Sequence, residues 1–94
     1  MSHPSDFVGI TVLMPTFNSA STIATALDSL LEQTFPFFEV IVIDNLSTDK
    51  TLEIIDHHSL KDITVISEKD TGIYEALNKG IRRAKGQYIT ILHS

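Results

Sequence analysis

Three polar clusters stand where apolar runs of this chain stop, and each is suited to holding part of a nucleotide. The first, Pro15-Thr16-Phe17-Asn18, combines a rigid imide, a hydroxyl, a flat ring and a carboxamide, groups that can grip a base and a ribose. It has no glycine, so the G-x-G-x-x-G turn that wraps a dinucleotide's diphosphate is absent. The second is Asp44-Asn45, a carboxylate able to accept from ribose hydroxyls or a uracil N–H beside an amide that both donates and accepts. The third, Glu68-Lys69-Asp70-Thr71-Gly72, sets two carboxylates and a lysine before a helix start, where ribose or phosphate can be met.

Each cluster also has a plainer reading. Pro15 to Asn18 has the composition of a turn, and Ser47, Thr48 and Asp49 suit an N-cap and first helical turn. Tyr74 and Asn78 lie four apart, so they share a helix face that can point to the same crevice. Lys79, Arg82, Arg83 and Lys85 gather near the negative end of that helix, which reads as a solvated face able to meet lipid phosphate. His57 and His58 are adjacent rather than four apart, so they are assigned no metal.

The elements that must position these clusters follow from the apolar pattern. Val8 to Met14, Glu39 to Asp44, Ile63 to Ser67 and Gln87 to Leu92 are β-branched runs of the kind buried on both faces of a parallel sheet. Pro15 is expected to end the first. Between the strands, Ile23, Leu27, Leu30 and Leu31 mark a helix to about Gln33 with Ser19 to Ser21 as cap candidates. Leu52 and Ile55 face inward on a second helix capped by Ser47 or Thr48. Ile73, Leu77, Ile81 and Ala84 give the inner face of a third, from Ile73 to Lys85, with Gly86 as a left-handed stop. The alternation implies a doubly wound, mostly parallel, Rossmann-like three-layer α/β/α sheet in the order 3-2-1-4, with a crevice between strands 1 and 4. The fourth strand ends at the last residues of the sequence, so a single partial domain, truncated after that strand, is expected over residues 1–94.

Composition narrows the class. With 43% hydrophobic and 20% charged residues the chain is an ordinary globular one. A net charge of -5 argues against nucleic acid, and the absence of cysteine excludes disulfides and thiolate metal sites. The polar start and the lack of a run of roughly 20 apolar residues point to a cytoplasmic protein, with peripheral membrane contact left open.

Taken in order, four segments resemble family 2 glycosyltransferases of the GT-A fold. They are Ile10 to Asn18, Ser29 to Phe35, Glu39 to Thr51, and Glu68 to Gly80 with Ala84 to Tyr88. The resemblance implies the nucleotide-sugar-binding half of a transferase that moves a sugar from a UDP-, GDP- or dTDP-sugar to a glycan or lipid-linked acceptor hydroxyl with inversion. It assigns nucleotide-sugar contact to Pro15, Thr16, Phe17, Asn18, Asp44, Asn45, Glu68, Asp70, Gly72, Asn78 and Lys79. Family members often carry two acids and a glycine where this chain has Asp44, Asn45 and Leu46. Mg²⁺ or Mn²⁺ and the catalytic base are expected in the full-length enzyme from an acidic motif and further residues after Ser94, so this chain alone holds no metal and transfers nothing. The alternative is a non-catalytic nucleotide-sugar-binding module. A phosphoacceptor receiver domain ranks lower, because no acidic pair follows strand 1.

Overall fold

A computed structural model describes residues 9–32, 38–60, 62–69, 72–86 and 88–93. The elements run β1 (Ile10–Thr16), α1 (Ile23–Leu31), β2 (Phe38–Asp44), α2 (Thr51–His57), β3 (Ile63–Ser67), α3 (Ile73–Arg83) and β4 (Tyr88–Ile91). All strand pairs are parallel, in the expected order β3-β2-β1-β4. Period-two alternation sends Val12, Met14, Val40 and Val42 to one face, where they meet Ile23, Leu27, Leu30 and Ile55 from α1 and α2. Leu13, Ile41 and Ile43 go to the other face and meet Ala76 of α3. Each buried Val, Leu, Ile or Met side chain among them contributes about 1.5–3 kcal/mol. The result is the three-layer doubly wound α/β fold.

Pro15 does not end β1; it pairs with Ile43 inside the strand. The reason is the side it faces. The Leu13 carbonyl accepts from Leu92 on the β4 side, while the Thr16 carbonyl accepts from Asn45 on the β2 side. Alternation therefore turns Pro15, which has no N–H, toward β4, and β4 has already ended at Ile91. A missing donor costs nothing there.

The helices differ from expectation in their contacts. α1 begins after Thr22 with no side-chain cap, and the Ser19 carbonyl accepts the Thr22 and Ile23 N–H groups instead. Leu31 is exposed at its edge, and the expected helix end at Gln33 lies outside the described residues. In α2, Ile55 is buried and Leu52 half-buried as expected, but Asp49 rather than Ser47 or Thr48 accepts the Thr51 N–H at 2.9 Å. On α3 Ala76 and Gly80 are buried, and Leu77 and Ala84 pack half-buried against the same core as expected, whereas Ile81 is 48% exposed. Small residues win because the helix lies close to the sheet: a Cβ on Gly80 would stand 2.7 Å from a Leu13 methyl and 2.9 Å from Ile43.

Gly86 is required for close approach, not for a left-handed backbone. No glycine among the described residues has that conformation, and a Cβ at Gly86 would meet the Gly9 carbonyl oxygen and Thr11 nitrogen, each at 2.8 Å. The Gly86 N–H donates to Thr11 Oγ1 at 2.9 Å, and that hydroxyl donates to Glu39 Oε2 at 2.7 Å. Glu39 also accepts the Lys85 N–H, so the α3–β4 turn is fastened to the amino end of β1 and β2.

Candidate functional site

The carboxyl ends of β1 and β2 are built around a carboxylate. Thr16 and Asp44 lie opposite one another in register, and the Thr16 hydroxyl donates to Asp44 Oδ1 at 2.6 Å. The Ser47 hydroxyl donates to the same oxygen. Asp44 Oδ2 accepts the Ser47 N–H at 2.8 Å and the Ser67 hydroxyl at 2.9 Å. Asp44 is 0% exposed. Burial alone pushes its pKa up, but the bonds from Ser47, Thr16 and Ser67 together outweigh that and leave it below the ordinary carboxylate value.

The loops that follow are tied to each other. Asn18, in a left-handed conformation with φ 48°, donates its N–H to Ser47 Oγ at 2.9 Å. Its side-chain oxygen accepts the Thr48 N–H at 2.8 Å and the Asp49 N–H at 3.3 Å. Asp49 Oδ2 accepts the Ala20 N–H at 3.1 Å, and the buried Thr51 hydroxyl accepts the Ser19 N–H at 2.8 Å while donating to Asp49 Oδ1. The Thr51 hydroxyl bond is the first cause holding the Asp49 carboxyl below its ordinary value, against a partial rise from desolvation.

Between these loops and the start of α3 opens a cleft of about 220 Å³, lined by Pro15, Thr16, Phe17, Ile43, Asn45, Gly72 and Ala76. Phe17 is 59% exposed, so one wall is a flat aromatic surface; Ile43 and Ala76 form an apolar floor. A Cβ at Gly72 would touch nothing within 4 Å. The cleft thus sits over β1 and β2 on the α3 side, not between β1 and β4 as the strand order suggested.

Pro15, Thr16, Phe17, Asn45 and Gly72 are brought together as expected from the sequence. Asp44 is buried behind the lining and Asn18 is exposed outside it, with the oxygens just described given to the protein. Lys79 bridges Glu68 at 2.9 Å and Glu75 at 3.7 Å and donates to the Lys69 carbonyl at 3.3 Å, so Glu68 and Lys79 brace the third loop rather than line the cleft. Asn78 and Tyr74 are exposed outside it. Asp70 is outside the described residues. Ile43 and Ala76 were not anticipated as site residues, although strand alternation and the i+4 spacing of Ala76 from Gly72 both place them there. Ser67 was also missed; a strand-end hydroxyl gives no sequence signal of its own.

Among the described residues, no group of three His, Cys, Asp or Glu side chains is placed to hold a metal ion, and no helix is long and apolar enough to cross a membrane. A second depression of about 240 Å³ lies beside β3, lined by Ile55, Asp56, His58, Leu60, Asp62, Ile63 and Val65. There His58 Nδ1 accepts the Leu60 N–H at 3.0 Å, which leaves the Nε2 proton for Asp28 at 2.7 Å.

Comparison with known proteins adds the family. Residues 11–94 match the family model described as glycosyl transferase family 2. Glycosyltransferase GlyG of Streptococcus pneumoniae is 35% identical over 88 residues, which cover 90% of this chain and 29% of GlyG. The structure of Staphylococcus aureus TarS in complex with UDP-GlcNAc superposes with a TM-score of 0.84 at 32% identity, covering 92% of this chain and 26% of that one. The mannosyltransferase PcManGT of Pyrobaculum calidifontis, in complex with GDP-Man and Mn²⁺, gives 0.82 at 32% identity over 95% of this chain and 28% of its own. The chain spans about a third of the length of the curated relatives it matches.

Proposed function

The chain belongs to glycosyl transferase family 2, and from that premise we propose that its cleft holds the nucleoside of a nucleotide-diphosphate sugar. The observation that carries this reading is the exposed Phe17 ring beside Asn45, over the apolar floor of Ile43 and Ala76. A flat ring offers a stacking surface worth about 1–3 kcal/mol to any base. Asn45 supplies hydrogen-bonding selectivity at the same place. The donors bound by the two structural relatives, UDP-GlcNAc in one and GDP-Man in the other, support a nucleotide-sugar donor, which on our reading is a UDP-, GDP- or dTDP-sugar.

On this reading residues 1–94 form the donor-binding half of a transferase that moves the sugar, with inversion, to an acceptor hydroxyl on a glycan or lipid-linked carrier in the cytoplasm. That TarS is a poly(ribitol-phosphate) β-N-acetylglucosaminyltransferase supports a polymer acceptor. The matching relatives are named as transferases, so a non-catalytic module is not favoured. The PcManGT complex supports a divalent cation, Mn²⁺ or Mg²⁺, for the whole enzyme. Its donor set does not fit the described residues, where Asp44 is fully engaged within the fold; no step is assigned to it on this chain.

Calorimetric titration with UDP and GDP, for the native chain and Phe17→Ala, tests the proposal. Phe17 is exposed, so its loss leaves the melting temperature in place while nucleotide affinity falls about tenfold, equivalent to about 1.4 kcal/mol. Absence of binding by both nucleotides, or unchanged affinity in Phe17→Ala, would contradict it.

A further inference from the structure

We infer that Asp44 is a positioning residue: acting through Ser47 and Thr16, it sets the two loops that present Phe17 and Asn45, and it does not itself meet the nucleotide. This role presupposes the nucleotide reading of the cleft. A carboxylate has roughly four acceptor positions. At Asp44 the Thr16 hydroxyl, the Ser47 hydroxyl, the Ser47 N–H and the Ser67 hydroxyl fill them. With no exposed surface, the group has neither a lone pair nor a path to offer a ribose hydroxyl. A ligand bond would have to displace one of those donors and leave it unpaired in the interior, which is costly.

The constraint passes outward through Ser47. Its hydroxyl proton goes to Asp44, which leaves its oxygen to accept the Asn18 N–H. Asn18 then holds the Thr48 and Asp49 N–H groups with its side-chain oxygen. Phe17 is consequently flanked by Thr16, bonded to Asp44, and by Asn18, bonded to Ser47. Asn45 is flanked by Asp44 itself and by Leu46, whose φ of 50° is a strained conformation for a side chain of its size. Such backbone persists where neighbouring bonds over-determine it; Leu46 lies between Asp44 and Ser47, and Asn18, the left-handed residue of the facing loop, is itself bonded to Ser47 and Thr48.

The test uses the full chain with Ser47→Ala, Ser47→Thr, Asp44→Asn and the Ser47→Ala/Asp44→Asn double variant. With UDP and GDP as probes, Ser47→Ala and Asp44→Asn should each weaken binding by about tenfold, and the double variant should bind no worse than Asp44→Asn alone. Ser47→Thr keeps the hydroxyl and should restore affinity. Losses that multiply in the double variant would mean that Asp44 acts on the ligand by a route other than Ser47, and a Ser47→Ala chain that binds like the native one would mean that the route through Ser47 sets nothing; either overturns the role. Should Asp44→Asn fail to fold, Ser47→Ala and its threonine counterpart decide alone.

A ligand-free arm separates this role from the nucleotide reading. In Ser47→Ala the Asn18 amide should exchange faster with solvent, and the amide resonances of Phe17 and Asn45 should move. If they do not, the positioning role fails whatever the protein binds. If the native chain binds neither nucleotide but these amides respond, the nucleotide reading fails and the positioning of the loops stands.

Discussion

The same pairing, a threonine on β1 with a carboxylate opposite it on β2, occurs at both ends of the sheet, and the two pairs do different work. At the amino end Thr11 meets Glu39, and the remaining bonds run to Gly86 and Lys85 in the α3–β4 turn. At the carboxyl end Thr16 meets Asp44, and the remaining bonds run to Ser47 in the loop after β2 and to Ser67 at the end of β3. Both pairs are register partners of the same two strands. What separates them is where the remaining bonds go. One pair fastens a turn and serves the fold; the other fastens the loops that carry the cleft, so it serves fold and binding together.

Removing each pair in turn should pull these roles apart. Asp44→Ala leaves the Thr16, Ser47 and Ser67 donors without their acceptor, and stability should fall by about 4 kcal/mol, with nucleotide affinity falling too. Denaturant unfolding that shows a loss under about 1 kcal/mol would remove Asp44 from its central place. Because its folded-state pKa lies below the usual 3.8, the Asp44 contribution is present above that value and is lost as pH falls through the folded pKa. Acid unfolding of the native chain should therefore steepen only below about pH 4, and Asp44→Asn should flatten that limb.

At the other end the expected effects are smaller and leave affinity alone. Gly86→Ala drives a methyl against the backbone of Gly9 and Thr11 and should cost about 2–3 kcal/mol. Glu39→Gln keeps an acceptor for Thr11 and Lys85 but loses its charge, for a cost of about 1 kcal/mol. In both, nucleotide affinity measured on the folded fraction should match the native chain; a tenfold loss would show that the two ends are coupled. The smallest effect belongs to the third loop, where Lys79→Ala breaks a bridge to the exposed Glu68 and should change stability by about 0.5 kcal/mol in thermal unfolding.

The strands, their order and the family were legible because β-branched runs, polar punctuation and four motifs in sequence agree. Side-chain direction was less so. Asp44 showed the right chemistry for a ligand, but no pattern along the chain reveals that its lone pairs are filled from Thr16, Ser47 and Ser67, residues 28, 3 and 23 positions away. Pro15 was expected to stop β1 because the rule for proline looks at the residue and not at the side its missing N–H faces. On α3, periodicity favoured the large Ile81 for the interior, whereas close packing against Leu13 and Ile43 selected Ala76 and Gly80. In each case what decided was how neighbouring elements meet rather than a property of one segment.

Titrating the isotope-labelled chain with UDP and with GDP, and following every backbone amide, tests the division between the two ends most directly. The expected result is a set of saturable shifts at Thr16, Phe17, Asn45, Gly72 and Ala76 with at least one nucleotide, while Thr11, Glu39 and Gly86 stay still. Saturable shifts centred on Thr11, Glu39 and Gly86, or none with either nucleotide, would contradict it.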